Sequence, residues 1–183
     1  MFATATHLRA VPNPPSPPEE LENLFRQHYD QVFRAAYRIT GHAGDAEDVL
    51  QTVFLRLARR KGSLDLEPNP HSYLRRAAIN AALDLVRARA GARQVDLEEV
   101  ATEVADNPRL SPEARHADGE LRRALRTAIS KLNPNAAEMF VLRYFEGYDN
   151  REIASLLGTS HLVVGVTLHR TRGKLRKEIG EFF

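Results

Sequence analysis

The chain has 183 residues, and 43% of them are hydrophobic, which is enough for one large globular core or two small ones. It contains no cysteine, which excludes disulfides, thiolate nucleophiles and the usual structural zinc sites. No apolar run approaches the roughly 18 residues of a membrane span, and the N-terminus lacks a signal-peptide pattern. We therefore expect a cytoplasmic protein without membrane insertion. Its seven histidines are scattered, so we expect no metal and no cofactor.

The net charge of +2 conceals a segregation of charge along the chain. Residues 71–93 carry five arginines and one acid, whereas residues 94–120 carry eight acids and two arginines. Blocks of opposite sign this close together indicate separate tasks. The basic block is suited to nucleic acid, and the acidic block should avoid nucleic acid or occupy a basic channel on a partner.

The N-terminal half begins with a tail and continues as helices. Residues 1–15 lack periodicity and are rich in proline, which predicts disorder. Ser16 is predicted to cap a first helix that runs to about Ile39. Asp45 is predicted to cap a second helix, with Asp48 at the capping-box position. This second helix has more apolar residues than one buried face uses, which suggests a partner. Its apolar residues are Val49, Leu50, Val53, Phe54, Leu55 and Leu57.

A third helix is predicted to begin at Asn69 and Pro70, after a loop over residues 61–70. Its apolar stripe is formed by Leu74, Ala78, Ala81 and Leu85. A second stripe is polar, and it consists of Tyr73, Arg76, Asn80, Asp84 and Arg87. Aromatic, amide and arginine side chains along one face can stack on unstacked bases and hydrogen-bond to them. A solvated helix face explains the same pattern equally well.

The C-terminal half follows an acidic linker, which we place at residues 94–118 and expect to hold at most one helical turn. Residues 119–183 are predicted to form a small domain of four helices. The first runs from about Leu121 to Leu132 and the second from Pro134 to Phe145.

The last two predicted helices have the outline of a helix-turn-helix. Asp149 and Glu152 form a capping box, Gly158 ends the first helix, and Thr159 or Ser160 caps the second. The second helix places Val164, Leu168, Leu175 and Ile179 on one face. Between Ser160 and Ile179 it carries five cations and a single acid, Glu178. A charge run alone indicates only a solvated face, but the caps and the glycine turn before it favour DNA binding.

The order of these parts resembles the extracytoplasmic-function group of bacterial RNA polymerase sigma factors. Residues 16–93 resemble sigma region 2, and residues 119–183 resemble sigma region 4. The most specific match is the segment DAEDVLQTVFLRL. The resemblance implies that this helix docks on the beta-prime clamp of RNA polymerase. The implied polymerase-binding residues are Asp45, Glu47, Asp48, Gln51, Phe54 and Leu55.

Two further segments carry the resemblance, and they imply the DNA contacts. The segment YLRRAAINAALDLVRAR is similar to the helix that binds the minus-ten element, although Ile79 stands where the family often has arginine. The implied minus-ten residues are Lys61, Tyr73, Arg76, Asn80, Asp84 and Arg87. The segments REIASLLGTS and LHRTRGKLRK are similar to the minus-35 reader of region 4. The implied minus-35 residues are Ser160, His161, Gly165, His169, Arg170 and Arg172.

Gly165 departs from the pattern expected of a helix interior. A glycine there costs about 1 kcal/mol of helix stability relative to alanine. We therefore expect a close approach of the backbone at Gly165 to DNA or to a neighbouring helix.

The resulting prediction is an all-α, two-domain sigma factor that is not an enzyme. Its expected partners are core RNA polymerase, through the beta-prime clamp and the beta flap, and promoter DNA, with an anti-sigma factor as a further candidate. One alternative is a helix-turn-helix regulator whose N-terminal domain dimerises or binds a ligand. An enzyme built on Asp45, Glu47 and Asp48 is disfavoured because no phosphate loop, nucleophile or general base accompanies these acids.

Overall fold

The computed structural model describes residues 17–60, 66, 69–93 and 112–180. Within these ranges the chain forms seven helices, which confirms the all-α prediction. They are α1 (Pro17–Thr40), α2 (Ala43–Ala58), α3 (Pro70–Arg93), α4 (Pro112–Ser130), α5 (Pro134–Tyr144), α6 (Asn150–Leu157) and α7 (His161–Glu178). The predicted tail, most of the loop at residues 61–70 and residues 94–111 lie outside the described residues. No described helix is both long enough and apolar enough to span a bilayer.

The first three helices pack together as a bundle in which every pair is in contact. The predicted core stripe of α3 is confirmed, because Leu74, Ala78 and Ala81 are buried and Leu85 is partly buried. The amide side chain of Asn69 accepts a hydrogen bond from the backbone N–H of Ser72 at 2.9 Å, as expected of a helix cap. This cap and Pro70 together fix where α3 begins.

The start of α2 differs from the prediction, because the cap is His42. Its ring Nδ1 accepts the backbone N–H of Asp45 at 3.4 Å, and the chain is already helical at Ala43. Asp45 lies inside the helix and is buried, with its Oδ1 2.5 Å from Arg89 Nη2. The prediction that Asp45 caps this helix is therefore wrong, because its carboxylate pairs with the half-exposed guanidinium of Arg89 in α3 instead.

The start of α4 also differs from the prediction, since the helix begins at Pro112 rather than near Leu121. Proline suits the first turn of a helix, where its missing N–H has no intrahelical partner. The later part of α4 packs against α3 and α7, and that packing supports a longer helix. The expectation of at most one helical turn at the end of the acidic segment is therefore wrong.

The helix-turn-helix forms as predicted from local signals. Asp149 Oδ1 accepts the backbone N–H of Glu152 at 2.8 Å, and Glu152 Oε2 accepts that of Asp149 at 2.7 Å. Gly158 ends α6 in the left-handed conformation, with φ of 62°. Ser160 caps α7 by accepting the backbone N–H of Val163 at 3.2 Å. The predicted core face of α7 is also confirmed, because Val164, Leu168, Leu175 and Ile179 are all buried.

The two halves pack against each other through α3, which contacts both α4 and α5. The buried residues of both halves form one connected apolar cluster. On one side, the guanidinium of Arg126 in α4 lies over Gly41, which joins α1 to α2 with φ of 70°. The positive φ favours glycine at this turn, whereas a Cβ at Gly41 would displace only the end of the flexible Arg126 side chain. We call this packing of the second half on α3 the closed arrangement.

Candidate polymerase and nucleic-acid interfaces

The outer face of α2 is an exposed strip formed by Glu47, Asp48, Gln51 and Leu55. Gln51 is three or four residues away from each of the other three, so the side chains lie next to one another along the helix. Leu55 is 54% exposed, although it is a large aliphatic residue. The strip thus combines one exposed apolar side chain with two acids and an amide, which are polar groups of the kind found at the rim of a protein interface.

Two predicted polymerase contacts, Asp45 and Phe54, are not on this strip. Both are buried, and the Phe54 ring packs edge-on against Phe25 with centroids 4.9 Å apart. The other surplus apolar residues of α2 are also buried, because α2 has two neighbours, α1 and α3, rather than one. Of the apolar residues of α2 that the sequence suggested were available to a partner, only Leu55 is therefore exposed. The prediction that Asp45 and Phe54 contact the polymerase directly is corrected, because both side chains are buried in the fold.

The predicted minus-ten stripe of α3 contacts different neighbours along its length. At one end the Arg60 guanidinium lies 5.2 Å from the Tyr73 ring centroid, a cation–π distance. At the other end Arg87 Nη1 pairs with Asp84 Oδ1 at 3.2 Å. Lys61, the stripe's predicted extension into the preceding loop, lies outside the described residues.

The middle of the stripe is occupied by the second half of the chain. Arg76 Nε donates to Glu138 Oε1 of α5 at 2.9 Å, and Asn80 Nδ2 donates to the same oxygen at 3.2 Å. Arg76 Nη1 also donates to the backbone carbonyl of Leu156 at 2.9 Å. Two of the six predicted minus-ten residues are therefore hydrogen-bonded to the second half in the closed arrangement, Arg76 to α5 and α6 and Asn80 to α5.

A second group of polar contacts joins the halves beside the first. Glu146 Oε1 accepts a hydrogen bond from Arg38 at 3.0 Å, and its Oε2 lies 3.6 Å from Arg75 Nε, which is an ionic contact but too long for a hydrogen bond. Arg75 Nη1 donates to the Tyr148 hydroxyl at 2.6 Å. In these contacts and in those of Glu138, the first half supplies the cations and the second half supplies the acids.

The sequence interpretation missed these acids. The side chains of Glu138 and Glu146 are only 8% and 5% exposed. A signal was present at Glu138, because it stands inside the apolar run AAEMFVL. A carboxylate buried in such a run needs a cation or hydrogen-bond donor, and its partner could have been sought among the arginines of α3.

The predicted minus-35 residues lie on α7 and at its N-terminus. Ser160, His161, His169, Arg170 and Arg172 are all exposed. Lys174, Arg176 and Lys177 are exposed as well, while the one acid of α7, Glu178, pairs with Lys131 at 2.5 Å. Apart from its buried stripe, the part of α7 from His169 onward is thus largely a cationic surface, as a phosphate-binding helix requires.

Gly165 is partly buried rather than exposed, and it faces the start of α6. The nearest atom that an added Cβ would meet is Asn150 Nδ2 at 3.6 Å, which is an ordinary van der Waals distance. The expectation that a neighbouring helix requires glycine here is therefore wrong, and the expected approach of the backbone to DNA stays a prediction.

Hydrogen bonding stabilises the ionised form of the cap at the start of α6. The backbone N–H groups of Glu152 and Arg151 donate to the carboxylate and lower the pKa of Asp149 below its usual value. The start of α6 is therefore held by a charged cap at neutral pH.

Comparisons with known proteins match both halves of the chain. The sigma-70 region 2 family model matches residues 24–92, and the sigma-70 region 4 model matches residues 122–175. The ECF RNA polymerase sigma factor SigE of Mycolicibacterium smegmatis is 36% identical over 85% of this chain, which spans 60% of that protein. The RNA polymerase sigma-E factor of Streptomyces coelicolor is 34% identical over 87% of this chain and 86% of that protein.

One solved structure has a similar fold. It is the sigma factor RpoE of Bartonella quintana, crystallised in complex with the anti-sigma factor NepR. The match has a TM-score of 0.51 at 16% identity and covers 88% of this chain and 97% of that one. At this identity the likeness concerns the fold alone.

Proposed function

Because the chain belongs to the extracytoplasmic-function group of RNA polymerase sigma factors, the subunits that direct core polymerase to promoters, we propose that α2, α3 and α7 perform three separate parts of that task. The catalysis belongs to the polymerase, and this chain acts as a non-enzymatic subunit in the cytoplasm. A helix-turn-helix regulator with an unrelated N-terminal domain is not favoured, since the first half matches region 2. An anti-sigma factor is a further proposed partner.

The exposed strip of α2 is the proposed contact with the beta-prime clamp. Glu47, Asp48 and Gln51 offer acceptors and an amide at the rim, and Leu55 offers an apolar group that no described neighbour covers. This strip is the observation that carries the polymerase assignment, because the rest of α2's apolar surface is already buried in the fold. The second half of the chain binds the beta flap.

The stripe of α3 is the proposed reader of the minus-ten element, with Arg76 and Asn80 at its centre and Tyr73, Asp84, Arg87 and Lys61 around them. Arginine and amide side chains can hydrogen-bond to an extruded base, and arginine can also stack on it. Glu138 binds the central pair in the closed arrangement. The halves must therefore separate at this contact before the minus-ten strand can bind.

The exposed surface of α7 is the proposed reader of the minus-35 element in duplex form. The second helix of a helix-turn-helix lies in the major groove, with its N-terminal residues at the base edges. Ser160, His161 and the backbone at Gly165 are at that end, whereas His169, Arg170 and Arg172 lie further along, within reach of phosphates.

The polymerase assignment is tested by the double variant Asp48→Ala and Gln51→Ala. Both side chains are exposed, so the variant should melt like the wild type but bind core polymerase more weakly, by about tenfold, if each lost polar contact is worth about 0.7 kcal/mol. A matched control replaces Gln27 and Asp30, an exposed amide and an exposed acid on α1. Equal polymerase affinity in the wild type, the variant and the control would remove the clamp assignment from this strip.

A further inference from the structure

The start of α7 presents apolar side chains to solvent. Leu162 is 69% exposed, and Val163 and Val166 are each 49% exposed. These three, which we call the apolar tip, are half of the six exposed large hydrophobic residues in the described part of the chain. They fall within five consecutive positions of one helix, so they form a patch rather than scattered single residues.

The described part of the fold makes no use of the apolar tip. The helix α7 packs on α4, α5 and α6, and its buried positions are Val164, Leu168, Thr171 and Leu175. The exposed fractions of these three side chains refer to the closed arrangement. The packing of the two halves against each other therefore leaves the tip uncovered as well. The patch is therefore available for a partner in the free chain.

The surroundings of the tip identify the chemistry of that partner. The cations of α7 follow the tip on the same helix, and the only acid among them is neutralised by Lys131. The cations beside the patch need anionic partners, which an apolar protein groove without acids does not offer. The DNA major groove suits the patch and the cations together, because phosphates flank the bases there. The tip also occupies the end of the second helix of a helix-turn-helix, which is where base edges are met.

Leucine and valine side chains can neither donate nor accept a hydrogen bond, so they cannot read most features of a base edge. The apolar feature of the major groove is the C5-methyl group of thymine. We infer that the apolar tip reads the minus-35 duplex through thymine methyl groups, and that Leu162, Val163 and Val166 determine this part of its specificity. The inference rests on the proposed function and names the base chemistry that α7 selects.

The test removes only the methyl group. Holoenzyme made from the full chain and core polymerase is first used to select duplexes from a pool randomised over the upstream element. Each thymine of the selected element is then replaced by uracil, singly and on each strand, and the dissociation constant is measured. At least one replacement should weaken binding about fourfold, the equivalent of about 0.8 kcal/mol for one buried methyl-sized group.

Two variants assign the effect to the tip. In the double variant Val163→Ala and Val166→Ala, thymine and uracil duplexes should differ by less than about twofold, since two of the three apolar side chains of the tip are shortened to a methyl group. The matched control Arg172→Ala should weaken both duplexes equally and lower the salt dependence of binding by about one unit of slope, as the loss of a phosphate contact does. Thermal melting of each variant checks that the fold is kept.

Each other outcome has a separate meaning. A selected element without thymine, or one whose uracil forms bind as well as its thymine forms, overturns the inference but leaves the sigma-factor assignment intact. Weaker binding to core polymerase in the valine variant, with unchanged DNA preference, would make the tip a protein contact and also overturn it. A holoenzyme that selects no upstream element at all would count against the proposed role of α7 itself.

Discussion

Replacing Glu138 with glutamine should open the closed arrangement. Its carboxylate holds Arg76 at 2.9 Å and Asn80 at 3.2 Å, and its side chain is only 8% exposed. Glutamine keeps the size of the side chain and one carbonyl acceptor, but it loses the charge. The substitution therefore weakens the contact between the halves without leaving a cavity in α5.

The magnitude follows from the burial of the pair. Removing one partner of a fully buried ion pair costs about 3–5 kcal/mol. Here the Arg76 side chain is 36% exposed, so solvent screens part of the interaction. We therefore expect the substitution to cost about 1.5 kcal/mol, which is close to the contribution of one hydrogen bond to a charged group. That energy shifts the equilibrium between the closed and open arrangements about tenfold toward the open one.

The shift can be followed by fluorescence energy transfer across the two halves. The chain has no cysteine, so cysteines introduced at the exposed positions Gln27 and Ser155 would be the only labelling sites. Energy transfer should fall in Glu138→Gln, and binding of a single-stranded minus-ten oligonucleotide should become tighter, because Asn80 is released. Added salt should lower the transfer in the wild type, since it screens the partly exposed ion pairs that join the halves beside their apolar cluster.

The matched control is Glu178→Gln, which removes the same charge from a pair inside the second half. It should leave the energy transfer unchanged. Arg76→Gln removes the main contact from the other side, and combining it with Glu138→Gln should add little, because both variants lose the same interaction. Wild-type energy transfer in a correctly folded Glu138→Gln variant would refute the role given to this contact.

Three further outcomes can be checked. Asn80→Ala should reduce open-complex formation on duplex promoter by more than it reduces polymerase binding, and part of the defect should remain on a pre-melted template; permanganate reactivity of thymines on both templates measures this. Gly165→Ala should raise the melting temperature by about 3 °C, because alanine favours the helix by about 1 kcal/mol and the site has room, yet it should weaken minus-35 binding if the backbone there approaches DNA. Because the pKa of Asp149 is lowered by folding, its ionised cap stabilises the fold above the unfolded pKa of about 3.8. This stability is lost as the pH falls through the lower pKa of the folded state. Urea melts should show this acid loss in the wild type and not in Asp149→Asn, which keeps a neutral cap.

The sequence predicted best what depends on neighbouring residues. The capping box of Asp149, the left-handed Gly158 and the Ser160 cap each involve partners within a few positions, so a short window of sequence contains all the information needed. The periodic core of α7 was predictable for the same reason. The assignment to region 2 and region 4 rested on such local patterns as well.

Errors arose where a distant partner decides the outcome. Asp45 reads as a helix cap until Arg89 of another helix is seen beside it, and Phe54 reads as surplus until Phe25 of α1 covers it. The contacts of Asn80 and Arg76 with Glu138 depend on how the two halves pack, and no pattern within α3 reports on α5. The residue types of the candidate site were thus predictable from the sequence. The contacts that its side chains make with the second half in the closed arrangement were not.

The early start of α4 limits how far the halves can move apart. Because α3 ends at Arg93 and α4 begins at Pro112, 18 residues lie between these two helices. A chain of that length spans at most roughly 65 Å. The number of residues between the helices therefore sets an upper limit on how far Arg93 and Pro112 can move apart when the closed arrangement opens.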